Sequence, residues 1–102
     1  MPAILFVKVK SDLALEELKK RMEERRRRFL EVPGLIQKFY GRDDKTGAFC
    51  GIYFFEDQAS LEAYRASELA KSIPAAYEAV DARLEAFDVL FSLRPERGPV
   101  SI

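Results

Sequence analysis

The sequence predicts an α+β domain of element order β-α-β-β-α-β, and three observations carry that reading. Residues 33–57 (PGLIQKFYGRDDKTGAFCGIYFFED) hold two apolar, β-branched and aromatic runs around a turn. Residues 14–31 switch to a helical apolar period. The two ends of the chain, 3–10 and 84–93, alternate as strands do.

The first strand is expected over 3–10, with Leu5, Val7 and Val9 on one face and Ile4, Phe6 and Lys8 on the other. Ser11 or Asp12 is the expected cap of the following helix. Leu15, Leu18, Met22 and Phe29 form its buried stripe. Glu16 with Lys20, Glu17 with Arg21, Glu23 with Arg27 and Glu24 with Arg28 are spaced for ion pairs one turn apart. The run Arg25-Arg26-Arg27-Arg28 is spread around the helix at about 100° per residue and makes no single basic patch. Arg25 and Arg26 flank the apolar stripe, within reach of an anion at its edge.

Pro33-Gly34 ends the helix. In the hairpin, strands 35–42 and 48–55 are joined by Asp44-Lys45-Thr46-Gly47, read as a type I turn with Gly47 at positive φ. That turn sets Asp44 opposite Ala48, Phe39 opposite Tyr53 and Lys38 opposite Phe54. One face then carries Gln37, Phe39, Gly41, Gly51, Tyr53 and Phe55; the other carries Ile36, Lys38, Tyr40, Cys50, Ile52 and Phe54. Asp57 caps a second helix over 58–70, with Leu61 and Tyr64 buried; Ser72-Ile73-Pro74 interrupts it, and 75–81 reads as a further turn of helix. The last strand is expected over 84–93, with Glu85, Phe87, Val89 and Phe91 on one face. Residues 1–93 form one domain and 94–102, with two prolines and a glycine, an irregular C-terminal arm.

The order matches the ferredoxin-like arrangement, a four-stranded antiparallel sheet with helices on one face. Two helices cover one face, yet the hairpin is apolar on both, so the uncovered face needs a partner. Pairing two sheets face to face gives a homodimeric α/β barrel.

Composition removes many functions. Lys+Arg and Asp+Glu both number 17, which gives no electrostatic reason to expect nucleic acid or a membrane as partner. No apolar run approaches the ~20 residues of a membrane span. The opening MPAILFVKVK lacks the basic start and cleavage site of a secretory signal. A single cysteine, Cys50, fits a reducing cytoplasm. Histidine is absent, and with it the commonest general base and transition-metal ligand. No metal or organic cofactor is therefore expected.

The residues EVPGL, the strand bearing Lys38, then GIYFFED and the capped QASLEAY helix resemble the YdhR-like mono-oxygenases. These sit within the antibiotic-biosynthesis-monooxygenase-like dimeric α/β barrels, and the resemblance is strongest over 33–69. It implies the fold, a homodimer, and cofactor-independent oxygenation of a small aromatic or polyketide-like compound in an apolar pocket. Cys50 stands where that pattern leads one to expect a second glycine before Gly51. The alternative on the same scaffold is a non-catalytic small-molecule binder or sensor.

Candidate site residues follow from residue type. Tyr53 and Lys38 are the candidate catalytic pair, a hydroxyl and a cation in apolar surroundings. The candidate pocket takes Phe39, Gly41, Gly51, Tyr64 and Arg26. The two strand glycines either leave room for a ligand or allow close packing. Lys38 either snorkels to a rim or has a lowered pKa useful for proton transfer.

Overall fold

The computed structural model describes residues 1–95 and 98–100. Its elements are β1 (Ala3–Ser11), α1 (Leu15–Leu30), β2 (Leu35–Arg42), β3 (Phe49–Phe55), α2 (Gln58–Arg65), α3 (Glu68–Lys71), α4 (Ile73–Ala76), β4 (Ala79–Asp88), β5 (Ser92–Arg94) and β6 (Gly98–Val100). The first four-stranded sheet has order β2-β3-β1-β4 and is antiparallel throughout. Its inner face is built by Leu5, Val7 and Val9 of β1 with Phe49, Tyr53 and Phe55 of β3; Leu18 and Phe29 of α1, Leu61 and Tyr64 of α2 and Ile73 of α4 pack on it. The chain has the α+β, ferredoxin-like fold, helices on one face.

The hairpin closes one residue earlier than expected. Asp43, not Asp44, stands opposite Ala48: its backbone N–H donates to the Ala48 carbonyl at 2.7 Å, and Gly47 N–H donates to the Asp43 carbonyl at 2.9 Å. Gly47 is at φ 78°, as its turn position asks. The Asp43 carboxylate accounts for the difference. It accepts the backbone N–H groups of Lys45 (2.8 Å) and Thr46 (3.2 Å) and pairs with Lys8 Nζ at 2.7 Å. These contacts, that with Lys8 first, hold its carboxyl well below the usual carboxylate range. A second irregularity, a bulge at Ile36 between Leu35 and Gln37, lets Leu35 and Lys38 both face inward.

A one-residue slip reverses every side chain of a strand. Lys38 pairs with Tyr53, Tyr40 with Gly51, Phe39 with Ile52, and Gly41 with Cys50. Lys38 and Tyr40 therefore join Gly51, Tyr53 and Phe55 beneath the helices. Gln37, Phe39 and Gly41 lie on the open face with Cys50, Ile52 and Phe54. The faces of β3 are those expected; the faces of β2 are reversed.

Four smaller corrections apply. The cap of α1 is Ala14, without a side-chain bond; Ser11 instead accepts from Leu13 N–H and donates to the Tyr77 carbonyl at 2.6 Å. Of the four expected helical pairs only Glu17–Arg21 forms among the described residues, at 3.0 Å, with Arg26–Glu23 at 3.1 Å beside it. The second helix stops at Arg65 because Ser67 caps a new turn, accepting from Ala70 N–H at 3.2 Å. β4 begins at Ala79 and ends at Asp88, so residues 79–81 are strand rather than helix; Glu78, at φ 48°, makes the corner between α4 and the strand. The Asp57 cap is present, accepting from Ser60 N–H at 2.7 Å. Beyond β4, β5 and β6 pair antiparallel, a short hairpin that runs from the expected end of the last strand into the expected irregular arm; residues 96, 97, 101 and 102 lie outside the described residues.

Two positive-φ glycines give a graded test. Gly47→Ala should cost about 1–2 kcal/mol from left-handed strain alone. Gly34, at φ 77°, also has the Ser60 side chain where a Cβ would sit, so Gly34→Ala should cost more. Urea denaturation of the two variants, compared by midpoint, checks the order.

Candidate functional site

Between the sheet and the α3–α4 segment lies a half-enclosed cavity whose walls are nearly all apolar. β1 supplies Val7 and Val9, α1 supplies Phe29, and β3 supplies Phe49, Gly51 and Tyr53. Ile73 and Tyr77 close it from the segment around α4. β2 supplies Lys38 and Tyr40. The register set at Asp43 is what brings Lys38 and Tyr53 to this one place.

Lys38 fills much of the space itself. Its Nζ sits 3.4 Å from the Phe29 ring centroid, 4.2 Å from Tyr40 and 4.6 Å from Tyr53. Three ring faces favour an ammonium there, by about 0.5–2 kcal/mol each. Burial acts the other way, and with the nearby positive charge of Arg25 it draws the Lys38 pKa from 10.5 to about 7. The remaining free volume is about 20 Å³, little more than one water needs.

Behind Lys38, the Tyr64 hydroxyl donates to the Tyr53 hydroxyl at 3.1 Å. Burial is the main cause that raises both phenols, Tyr64 to about 12 and Tyr53 further. Both remain protonated near neutral pH and serve as hydrogen-bond groups, not bases. Tyr53 also stacks on Phe55, with centroids 6.3 Å apart and rings 7° from parallel.

Gly51 makes this convergence feasible. A Cβ there would lie 2.9 Å from Tyr53 Cε1 and 3.4 Å from Lys38 Cε. The space a side chain would take is thus already occupied by the Tyr53 ring and the Lys38 stem. Gly41 is on the opposite face, where a Cβ would meet Cys50 Sγ at 3.0 Å; the two glycines do not share a pocket. Phe39 is likewise on the open face and 54% exposed. Tyr64 stands behind Tyr53 rather than on the cavity wall and borders an outer groove between α1 and α2. Arg26 points to solvent, paired with Glu23.

Its neighbour Arg25 is the inward one. Arg25 lies with its guanidinium carbon 5.7 Å from the Tyr77 centroid and donates through Nη2 to Ser72 Oγ at 3.0 Å. Sequence reasoning also missed Ile73 and Tyr77 as wall residues, because 72–74 reads as a break and 75–81 as helix, so neither inward side could be placed. Phe29 had a signal, as the last member of the α1 stripe. No cluster of metal-ligating side chains exists among the described residues, and no described helix is long and apolar enough to cross a membrane.

With this geometry in place, comparison with known proteins is informative. The sequence profile of the family described as "Putative mono-oxygenase ydhR" matches residues 4–94. The chain belongs to that family. No curated protein matches the sequence significantly. Among solved structures, the chain is similar to SnoaB, a cofactor-independent oxygenase from Streptomyces nogalater, with TM-score 0.72 at 15% identity over 90% of this chain and 96% of that one. A "putative antibiotic biosynthesis monooxygenase" from Deinococcus radiodurans gives TM-score 0.70 at 11% identity, over 92% and 97% of the two chains. A dimeric ferredoxin-like protein of unknown function from Jannaschia sp. gives 0.67 at 14%, over 87% and 100%. At such identities the likeness is one of fold.

Two outcomes follow from the cavity. Gly51→Val overpacks a filled site and should cost about 1–3 kcal/mol, read by thermal melting. The Lys38 amine has a lower pKa folded than unfolded, so between about pH 7 and pH 10.5 the unfolded chain holds a proton that the folded one has shed. Stability from this group therefore rises with pH across that window. Lys38→Met should be more stable than wild type near pH 6, with the gap closing by pH 10 in parallel denaturation curves.

Proposed function

We propose that the protein is a homodimeric monooxygenase that needs no metal, flavin or haem and acts on a small aromatic or polyketide-like compound in the Lys38–Tyr53 cavity. The observation that carries this is the Lys38 amine, poised near neutrality inside an apolar, aromatic-walled space. Membership of the mono-oxygenase family supports it, as does the fold shared with a cofactor-independent oxygenase. The ring of the substrate takes the space that Lys38 now fills, with Lys38 swung toward the mouth beside Tyr40.

The chemistry asked of the protein is modest. The neutral Lys38 amine takes a proton from an enolisable C–H or phenolic O–H of the substrate. The resulting anion passes one electron to dioxygen, and the two radicals join as a C–O–O⁻ group. That peroxide takes the proton back from the Lys38 ammonium. Loss of water from the hydroperoxide leaves a carbonyl, so one oxygen atom stays in the product, the other leaves as water, and all electrons come from the substrate. Tyr53, held by Tyr64, donates a hydrogen bond to the substrate oxygen as charge develops on it. The apolar walls exclude water, which makes these interactions stronger.

The dimer forms through the open sheet face. Across it run Phe39, Ile52 and Phe6 in one row and Phe54, Ile4 and Phe87 in the next; Phe39 and Phe87 are half exposed. Residues 1–93 are assigned to the barrel-forming domain and 94–102 to a C-terminal arm. The absence of any disulfide partner for Cys50 fits a cytoplasmic protein.

Oxygen uptake on adding a hydroquinone or anthrone, with a chelator present, tests the reaction. The expected rate climbs with pH through about 7 as Lys38 loses its proton, and Lys38→Met should lower kcat by about 10²–10⁴-fold while the protein still folds. Tight binding without oxygen uptake would make the protein a binder or sensor instead. For the dimer, sedimentation should show two subunits at micromolar concentration, with an interface of roughly 800 Å² or more per subunit.

A further inference from the structure

Two basic side chains stand in the cavity wall or directly behind it, and neither has a carboxylate for a partner. Lys38 is one. Arg25 is the other, placed on α1 one turn before Phe29 and reaching to the α3–α4 segment. Its Nη2 donates to Ser72 Oγ at 3.0 Å and to the Leu69 carbonyl at 3.4 Å, both neutral acceptors. Its Nε is shut off from solvent and has no acceptor at all. The ion pairs among the described residues engage Lys8, Arg21, Arg26, Arg65 and Arg83, not Arg25 or Lys38. The Arg25 charge acts on Lys38 and on all the tyrosines nearest the cavity save Tyr53.

Buried or half-buried cations are ordinarily matched by anions, and an unmet guanidinium N–H is costly. The surplus here is specific. In the reaction proposed above, the negative charge that forms on the substrate is matched by the proton Lys38 receives. Arg25 is unmatched before that step and unmatched after it. We infer that the substrate brings a permanent negative group of its own, a carboxylate next to the reacting ring, and that Arg25 selects it through Nε. The guanidinium suits this role because its donors are fixed in one plane, and its bonds to Ser72 Oγ and the Leu69 carbonyl hold that plane in place. The substrate class is thereby narrowed to aromatic or enolic carboxylic acids. The part of this inference that concerns reactivity rests on the oxygenase reading; the part that concerns binding does not.

Calorimetric titration with 1-hydroxy-2-naphthoate and with 1-naphthol at pH 7.5 separates the two. These probes share a ring system and differ in the carboxylate. Wild type should bind the acid at least tenfold more tightly. Arg25→Met, which keeps a long side chain against Tyr77, should remove that preference, read as the ratio of acid to naphthol affinity within the variant. Arg25→Lys, which keeps the charge but lacks the Nε donor, should lose at least threefold of the preference and serves if the Met variant does not fold. Equal affinities in wild type, no binding of the acid at millimolar concentration, or a full preference retained in either folded variant would overturn the assignment. A carboxylate preference without oxygen uptake would leave it standing and remove the oxygenase reading alone.

Discussion

The closure of the β2–β3 hairpin at Asp43 is the constraint on which the site depends. One carboxylate accepts two backbone N–H groups of the turn and an ammonium from β1. That fixes the loop at four residues, and loop length fixes register. Had the hairpin closed on Asp44, Lys38 would lie on the open sheet face and the cavity would have no ionisable group on its β2 side. The distance from Asp43 to Lys38 along β2 is five residues, so a turn contact at one end of the strand decides the chemistry toward the other.

Much of this fold is legible in the sequence, because periodicity and turn residues agree. β1, both faces of β3, the extent of α1 and the Asp57 cap follow from alternation, helical spacing and capping chemistry. Two kinds of feature do not. The first is a parity: the faces of β2 depend on whether Asp43 or Asp44 closes the turn, and adjacent aspartates satisfy the same propensity rules. The bulge at Ile36 adds a second parity change that no local pattern announces. The second is tertiary override. Residues 75–81 carry alanines and a helical spacing, yet from Ala79 onward pairing with β1 outweighs that local preference.

The site shows the same division. Lys38 is conspicuous as a lone charge in an apolar strand, and Tyr53 as a hydroxyl among aromatics, but residue type says nothing of whether they meet. Their meeting is a consequence of register. Arg25 and Arg26 are equivalent in composition and differ by about 100° of helix rotation; one lies against Tyr77, the other pairs with Glu23 in solvent. Helical geometry narrows the choice to two, and only the position of the α3–α4 segment resolves it.

The cavity also concentrates the chromophores of the molecule. The chain has four tyrosines and no tryptophan. Tyr40, Tyr53 and Tyr77 line the space around Lys38, and Tyr64 is bonded to one of them. Near-ultraviolet absorbance and intrinsic emission beyond the phenylalanine band therefore originate at this one location. The protein carries its own optical reporter, in which an event that moves Lys38 or alters the polarity around it is read directly by three of the four phenols.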